Sequence, residues 1–390
     1  MNPTVFAMIF LLSTLGANEL SLLYPHKERI KIQNEEEIEA TAKSQKNDWI
    51  SPLNLSLSST KSSNIDLSQK AVISFSQDIY RFGGIKYQIS YAKANKRYRL
   101  TNLKVENESY YQSIYSTVLE IRKLKLQLKQ AKYQLKNKEL EIRIQKEKYK
   151  SGTVDIVLLN QAIMDKNTQL QTMINLQNSM VKYQQELSKI TPIAQSKIIL
   201  PRFKVISKGK FIKDNYALKL SKLQQNLKKS QLNLTKSNYY PKIAVSGEVG
   251  YQKTENYGTT QYKDNYHSVG VSISMPIDLN RDATIEAKKL AYMIERSNEM
   301  DTKINQEALY TQIMQTVENY QSYQGIIKEN LKLYQEILQS TQKGFKVGYK
   351  SGFDYKIMQN TYRVNKLEIA LYAIYIQQEL LKLHYAIERG

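Results

Sequence analysis

The chain has 390 residues, 57 Lys and Arg against 36 Asp and Glu, a formal net charge of +21 and no cysteine. Without Cys, disulfides, thiolate metal sites and a lipidated Cys are not expected. So basic a balance suits acidic partners such as nucleic acid, anionic lipid or an acidic protein surface. The cations are spread along the whole chain, however, as on solvated helix faces, and no nucleic-acid-binding motif accompanies them.

Residues 5–15, VFAMIFLLSTL, form an apolar run that closes in Gly16-Ala17. The run is too short to span a bilayer and has the length of a signal-peptide core, so residues 1–17 are expected to direct export, with Ala17 last before cleavage. A polar helix is expected over 20–47, with Glu35, Glu36 and Glu37 in its middle and Trp49, the only Trp, after it. Pro52 opens an alternating stretch with Leu53, Leu55 and Leu57 on one face and Asn54, Ser56 and Ser58 on the other. After a turn expected over 59–66, Ala71, Ile73 and Phe75 share a face opposite Ser74 and Ser76, and Gln77 ends the strand. This period of two predicts two half-apolar strands. The break at 78–84 contains Gly83-Gly84, which lacks the spacing and the Lys-Ser/Thr of a phosphate loop.

A long helix is expected over 85–150. Ile114, Ile121, Leu128, Leu135, Ile142 and Tyr149 recur every seven residues, with Val118, Leu124 and Ala131 between them. A sustained heptad with polar flanks implies supercoiling against a neighbour. The chain turns at Ser151-Gly152 and returns as helix over 154–190. Pro192 and Pro201 bracket an irregular connector, and a helix over 211–237 leads to Tyr239-Tyr240-Pro241. The first half then repeats. Ile243, Val245, Val249 and Tyr251 alternate with small or polar residues, a loop is expected over 252–265, and Val269, Val271, Ile273 and Met275 alternate again before Pro276. A second long helix is expected over 283–350. Ile313, Tyr320, Ile327 and Tyr334 form one register. Tyr310, Val317, Leu331, Leu338 and Phe345 form the other, with Gln324 as its polar member. A last helix covers 355–388.

Both reversals carry Tyr-Lys-Ser-Gly, at Tyr149 to Gly152 and at Tyr349 to Gly352, each followed by an acid, Asp155 or Asp354. Gly accepts the left-handed conformation that closes a helix, and the acid suits the next helix N-terminus. The order therefore reads as two structural repeats, 18–201 and 202–390, each with helix, two strands and a long hairpin. The fold class is mainly α with a small β part.

Four amphipathic strands fall short of the usual minimum of about eight for a closed transmembrane barrel. Aromatics border them, with Trp49, Tyr80, Phe82, Tyr239 and Tyr240 at one end and Tyr251, Tyr257, Tyr262 and Tyr266 at the other. One apolar and one polar face suit lipid outside and water inside, and open edges then demand oligomerisation.

The duplicated order, the Tyr-Pro-Lys-Ile lead-in at Tyr240 to Ile243, the Ser-x-Pro-Ile turn at Ser274 to Ile277 and the two Tyr-x-x-Gly tips resemble the TolC-type outer-membrane efflux proteins. The resemblance covers nearly the whole chain after residue 17. It implies a homotrimer whose three sets of four strands close a twelve-stranded barrel, with a periplasmic helical tunnel beneath. It also implies a periplasmic adaptor and an inner-membrane pump or ABC exporter as partners, outer-membrane lipid around the strands, no cofactor and no nucleic acid. The family's tips dock the adaptor, which points to Tyr149, Lys150, Ser151, Gly152 and Thr153 and to Tyr349, Lys350, Ser351, Gly352 and Phe353. Family channels narrow through acids about six and nine positions beyond the second glycine. Counted from Gly352, those positions hold Met358 and Thr361. Asp155 and Asp354 are the nearest acids, either lining the entrance or serving only as helix N-terminal charge.

The expected function is an exit duct for small molecules. A protein-secretion channel of the same family is an alternative, and a soluble basic coiled-coil scaffold is a reading of another class. No enzyme is expected. His26, His267 and His384 lie far apart, and no His-x-x-x-His or Gly-x-Ser-x-Gly pattern occurs.

Overall fold

The computed structural model describes residues 22–62, 65–255 and 261–389. The expected signal peptide and the Tyr257 part of one aromatic border lie outside the described residues, as does the side chain of Tyr262. The elements run α1 (Pro25–Asn47), β1 (Asn54–Ser62), β2 (Ile65–Tyr80), α2 (Gly84–Lys150) and α3 (Ile156–Ser188). They continue with α4 (Lys208–Asp214), α5 (Tyr216–Ser237), β3 (Lys242–Glu255), β4 (Gln261–Ser274), α6 (Arg281–Lys346) and α7 (Gly352–Tyr385). The two halves repeat one order, with α4 and a short 3-10 turn added at the connector. Among the described residues no helix is long and apolar enough to cross a membrane.

Compactness cuts across this repeat. One unit takes residues 1–30, 105–215 and 305–390, and the other takes 31–104 and 216–304. The second unit holds a four-stranded antiparallel sheet in the order β1-β2-β3-β4. Its register puts Leu55 opposite Ile73, Ile73 opposite Val249, Val245 opposite Val271 and Ile243 opposite Ile273. All the apolar alternating positions thus share one face, as the period of two requires. That face is bare: Leu53, Leu55, Leu57, Val271 and Ile273 are exposed, and Val269 is 81% exposed. The other face pairs Ser56 with Val72, Ser74 with Glu248 and Ala244 with Ser272. Each face also carries an aromatic over a cross-strand glycine. A Cβ on Gly247 would collide with the Phe75 ring, and one on Gly250 would meet the Tyr266 ring at 2.7 Å.

The strands outrun the alternating stretches. Pairing continues through Thr60↔Ser68 and through Glu255↔Gln261, where loops were expected over 59–66 and 252–265. Most pairs there are polar, such as Ser59 with Gln69 and Lys253 with Lys263, so the ladder persists without a hydrophobic period to announce it. Strand β2 likewise passes Gln77 and ends at Tyr80. The Gln77 amide secures the chain before β1, accepting from the Ser51 N–H at 2.9 Å and donating to the Trp49 carbonyl at 3.0 Å. The break comes instead at Phe82 and Gly83, both at positive φ.

In the first unit the helical core gathers Ile114, Tyr115, Val118, Leu119 and Ile121 of α2 with Phe203, Phe211, Ile313, Val317, Leu380, Leu381 and Leu383. The predicted α2 heptad is buried at its start, where Ile114 and Ile121 are fully covered, and fades to Tyr149, 45% exposed. The companion positions Val118, Leu124 and Ala131 are all buried. One helix was expected over 211–237, but Asn215 interrupts it. That residue is buried, adopts extended backbone and pairs with Ile387, while its Nδ2 donates to Gln306 Oε1 at 3.0 Å. A short amide that finds backbone and side-chain partners outside the helix competes with helical hydrogen bonding.

Replacing Ile114 by Ala removes a fully buried side chain and should cost about 2–5 kcal/mol. Chemical unfolding followed by far-UV dichroism checks this, with the exposed Ile174→Ala as a control that should change little.

Candidate functional site

The reversals are the chain's distinctive helical feature. Helix α2 ends at Lys150 with Gly152 at φ +67. The Thr153 N–H donates to the Lys148 carbonyl at 2.9 Å and the Gly152 N–H to the Tyr149 carbonyl at 3.0 Å. These are the two bonds of a Schellman cap, which satisfy the last helical carbonyls. Asp155 then caps α3, its carboxylate accepting from the Val157 N–H at 3.3 Å. The Ser151 hydroxyl donates to the Lys148 carbonyl at 2.9 Å, and Lys150 pairs with Glu147.

The second reversal has the same cap four residues earlier than its Tyr-Lys-Ser-Gly. Helix α6 ends at Lys346, and Gly348 holds φ +79. The Tyr349 N–H donates to the Gly344 carbonyl at 2.7 Å and the Gly348 N–H to the Phe345 carbonyl at 3.1 Å. Three residues on, Ser351 caps α7. Its hydroxyl accepts from the Asp354 N–H at 3.1 Å while the Asp354 carboxylate accepts from the Ser351 N–H at 3.2 Å. Gly352 is the first residue of α7, not the closing glycine of α6.

The repeated tetrapeptide therefore does two different jobs. Residues Tyr149, Gly152 and Asp155 correspond in role to Phe345, Gly348 and Ser351, an offset of 196 where the sequence match suggests 200. Sequence reasoning missed Phe345 and Gly348. The available signal was their own aromatic-x-x-Gly spacing, which the exact repeat of four letters outshone. The consequence is visible in exposure: Tyr349 projects from the turn, 88% exposed, while Phe345 stacks on Tyr355 with ring centroids 5.8 Å apart and planes at 5°. Phe353 is half-buried.

Of the other predicted residues, Met358 and Thr361 are half-buried on α7. The Thr361 hydroxyl donates to the Ile357 carbonyl at 2.9 Å and lies 3.4 Å from Asn137 Nδ2 on α2. Next to it, buried Asn360 donates to Asn137 Oδ1 at 2.9 Å. Polar links of this kind recur: Gln130 donates to the Val364 carbonyl at 3.0 Å and Gln324 to the Ile369 carbonyl at 2.9 Å. Gln324, the polar member of the α6 heptad, thus has a partner.

Within the first hairpin Lys138 of α2 reaches Asp165 of α3 at 3.0 Å. Hydrogen bonds from Gln161 and then Lys138 hold the Asp165 carboxyl below its usual range, and bonds to Glu141 and Asp165 raise Lys138 above the usual lysine value. Among the described residues no group of His, Cys, Asp or Glu is placed to hold a metal.

Residues 210–387 match the family model described as outer membrane efflux protein. Those residues belong to that family. No curated protein sequence matches the chain. Solved structures do, at the level of fold. VceC of Vibrio cholerae is 12% identical with a TM-score of 0.74, covering 94% of each chain. The CmeC outer membrane channel of Campylobacter jejuni is 13% identical with a TM-score of 0.73, covering 95% of this chain and 85% of that one. The MtrE outer membrane channel of Neisseria gonorrhoeae, in its open state, is 14% identical with a TM-score of 0.61, covering 92% and 85%. The fold is that of TolC-type channels. The CmeC and MtrE neighbours are described as outer membrane channels. The family is one of channels, not enzymes.

The caps make a direct prediction. Gly152→Ala and Gly348→Ala force Cβ into the left-handed region and should each cost about 1–2 kcal/mol of local stability. Gly352→Ala should cost little, since its only close neighbour is the movable Phe345 ring at 3.2 Å. Amide hydrogen exchange at the tips reads the difference. A second prediction concerns pH. Because folding lowers the Asp165 pKa, its contribution is present above the ordinary carboxylate range and is lost as pH falls through the folded value. Exchange at the α2–α3 contact should quicken on that acid limb, and Asp165→Asn should remove the dependence.

Proposed function

We propose that this chain is one third of an outer-membrane exit duct for small molecules, working as a homotrimer with a periplasmic adaptor and an inner-membrane pump. The observation that carries this reading is the sheet: one bare apolar face, one Ser- and Gly-rich face, and outer edges on β1 and β4 with no partner among the described residues. Three such sheets paired edge to edge would make twelve strands, enough for a barrel with lipid outside and water within. A soluble scaffold has no use for that face. The duplicated halves, 18–201 and 202–390, supply the two hairpins of each protomer.

The adaptor-docking surface proposed is the pair of tips. At the first it comprises Tyr149, Lys150, Ser151, Gly152 and Thr153. At the second, the shared cap brings Phe345 and Gly348 in beside Tyr349, Lys350, Ser351, Gly352 and Phe353. Counted from Gly348, the sixth position is Asp354, which recovers an acid where the count from Gly352 finds Met358. We keep Asp155 and Asp354 as aperture residues and set aside Met358 and Thr361, because the two acids are exposed at the tips and carry charge. Their capping bonds leave carboxylate lone pairs free for a second role.

Transport through such a duct is passive, and opening requires the hairpins to separate towards their tips. Asn137 and Asn360 touch across α2 and α7, and the chain has no Cys of its own. Asn137→Cys with Asn360→Cys, once oxidised, should abolish ion conductance across a planar bilayer, and reduction should restore it. Undiminished conductance through the oxidised variant contradicts the opening mechanism.

A further inference from the structure

Helices α1 and α2 enclose a groove of about 500 Å³ lined by Glu39, Ala40, Ala42, Lys43, Lys46, Ala92, Lys93 and Lys96. Ala92, fully covered, and half-buried Ala42 form its floor, and exposed Ala40 and the lysines form its rim. The one acid is committed: Glu39 pairs with Lys96 at 2.6 Å. Lys43, Lys46 and Lys93 are exposed and have no carboxylate partner among the described residues. The groove therefore holds three uncompensated positive charges above an apolar base. Residues 84–104 of α2 contain six Lys and Arg and no acid, while α1 brings five acids, of which Glu37 and Glu39 pair with Arg99 and Lys96.

Position gives the charge a meaning. Lys46 is the penultimate residue of α1, whose end leads to β1, and α2 starts just after β2. At 1.5 Å per residue Lys93 lies about 14 Å along α2 from Gly84. The groove thus sits just on the helical side of the strands. The headgroup zone of a bilayer is roughly 5–8 Å deep on each side, and lysine stems extend several ångströms to reach it. Basic pockets beside membrane-embedded elements attract anionic headgroups.

We infer that the α1–α2 groove binds an anionic phospholipid of the periplasmic leaflet, its phosphate held by Lys43, Lys46 and Lys93 and its glycerol and upper acyl carbons resting on the alanine floor. The inference rests on the outer-membrane reading of the sheet and adds a lipid site to it. Such a lipid would tie α1, which precedes β1, to α2, which follows β2, and so brace the base of that hairpin.

The test uses the full-length protein in neutral detergent, with phosphatidylglycerol or phosphatidylcholine added and bound lipid counted by native mass spectrometry. Wild type should retain phosphatidylglycerol about tenfold better or more, as three lysines near the phosphate require. Lys43→Gln/Lys46→Gln/Lys93→Gln should bring the ratio near one, while Lys222→Gln/Lys229→Gln on α5 should leave it unchanged. Equal retention of the two lipids by wild type, or a full preference in the triple variant, overturns the site. An unboiled gel of the same samples separates this failure from failure of the membrane reading, because a heat-labile trimer without lipid preference removes only the groove.

Discussion

An open sheet cannot face lipid. Each unpaired N–H or C=O in hydrocarbon costs several kcal/mol, so a strand edge left bare there is prohibitive. Among the described residues the sheet has two open edges, on β1 and β4, beside a face of Leu, Ile and Val that is unsuited to water. The proposed assembly, closure with further copies in a bilayer, would solve both problems at once. The strand register must keep every apolar residue on one side. It does so for the alternating Leu, Ile and Val positions through all three pairings, with Val72 and Ala244 the apolar exceptions on the other face, and the aromatic–glycine contacts of Phe75 with Gly247 and Tyr266 with Gly250 fill the gaps that glycine leaves on each face.

The helical unit answers a different constraint. Its hairpins are too thin for a globular core along their whole length, so burial is concentrated around Ile114, Val118, Ile121 and Val317 and thins towards the tips. Where apolar contact thins, amides take over: Asn137 with Asn360, Gln130 with the Val364 carbonyl, Gln324 with the Ile369 carbonyl. Single hydrogen bonds of this kind contribute only about 1 kcal/mol each. That is enough to define how helices meet and little enough for the contacts to be exchanged, which suits the proposed opening at the tips.

Much of this was legible in the letters. Leu53, Leu55, Leu57 and Ile73 announced their strands because one face had to be apolar, and Ile114 to Ile142 announced a long helix. The polar ladder beyond Thr60 and Lys253 was hidden, since pairing between two polar faces leaves no period. Asn215 was hidden because its partners, Gln306 and Ile387, are distant in sequence. The tips misled for a physical reason. Ser and Gly serve both to stop a helix and to start one, so Tyr-Lys-Ser-Gly closes α2 at Gly152 yet opens α7 at Ser351. Only backbone conformation distinguishes the two uses, and it moves the matching aromatic from Tyr349 to Phe345.

The central claim is that copies of this chain close a barrel in the outer membrane. The direct measurement is membrane fractionation of native cells followed by gel electrophoresis with and without boiling. A band at three times the chain mass in the outer-membrane fraction, collapsing to the single chain on heating, is the result this account predicts. A monomer or dimer in the soluble fraction would contradict it and leave the bare sheet face without an explanation.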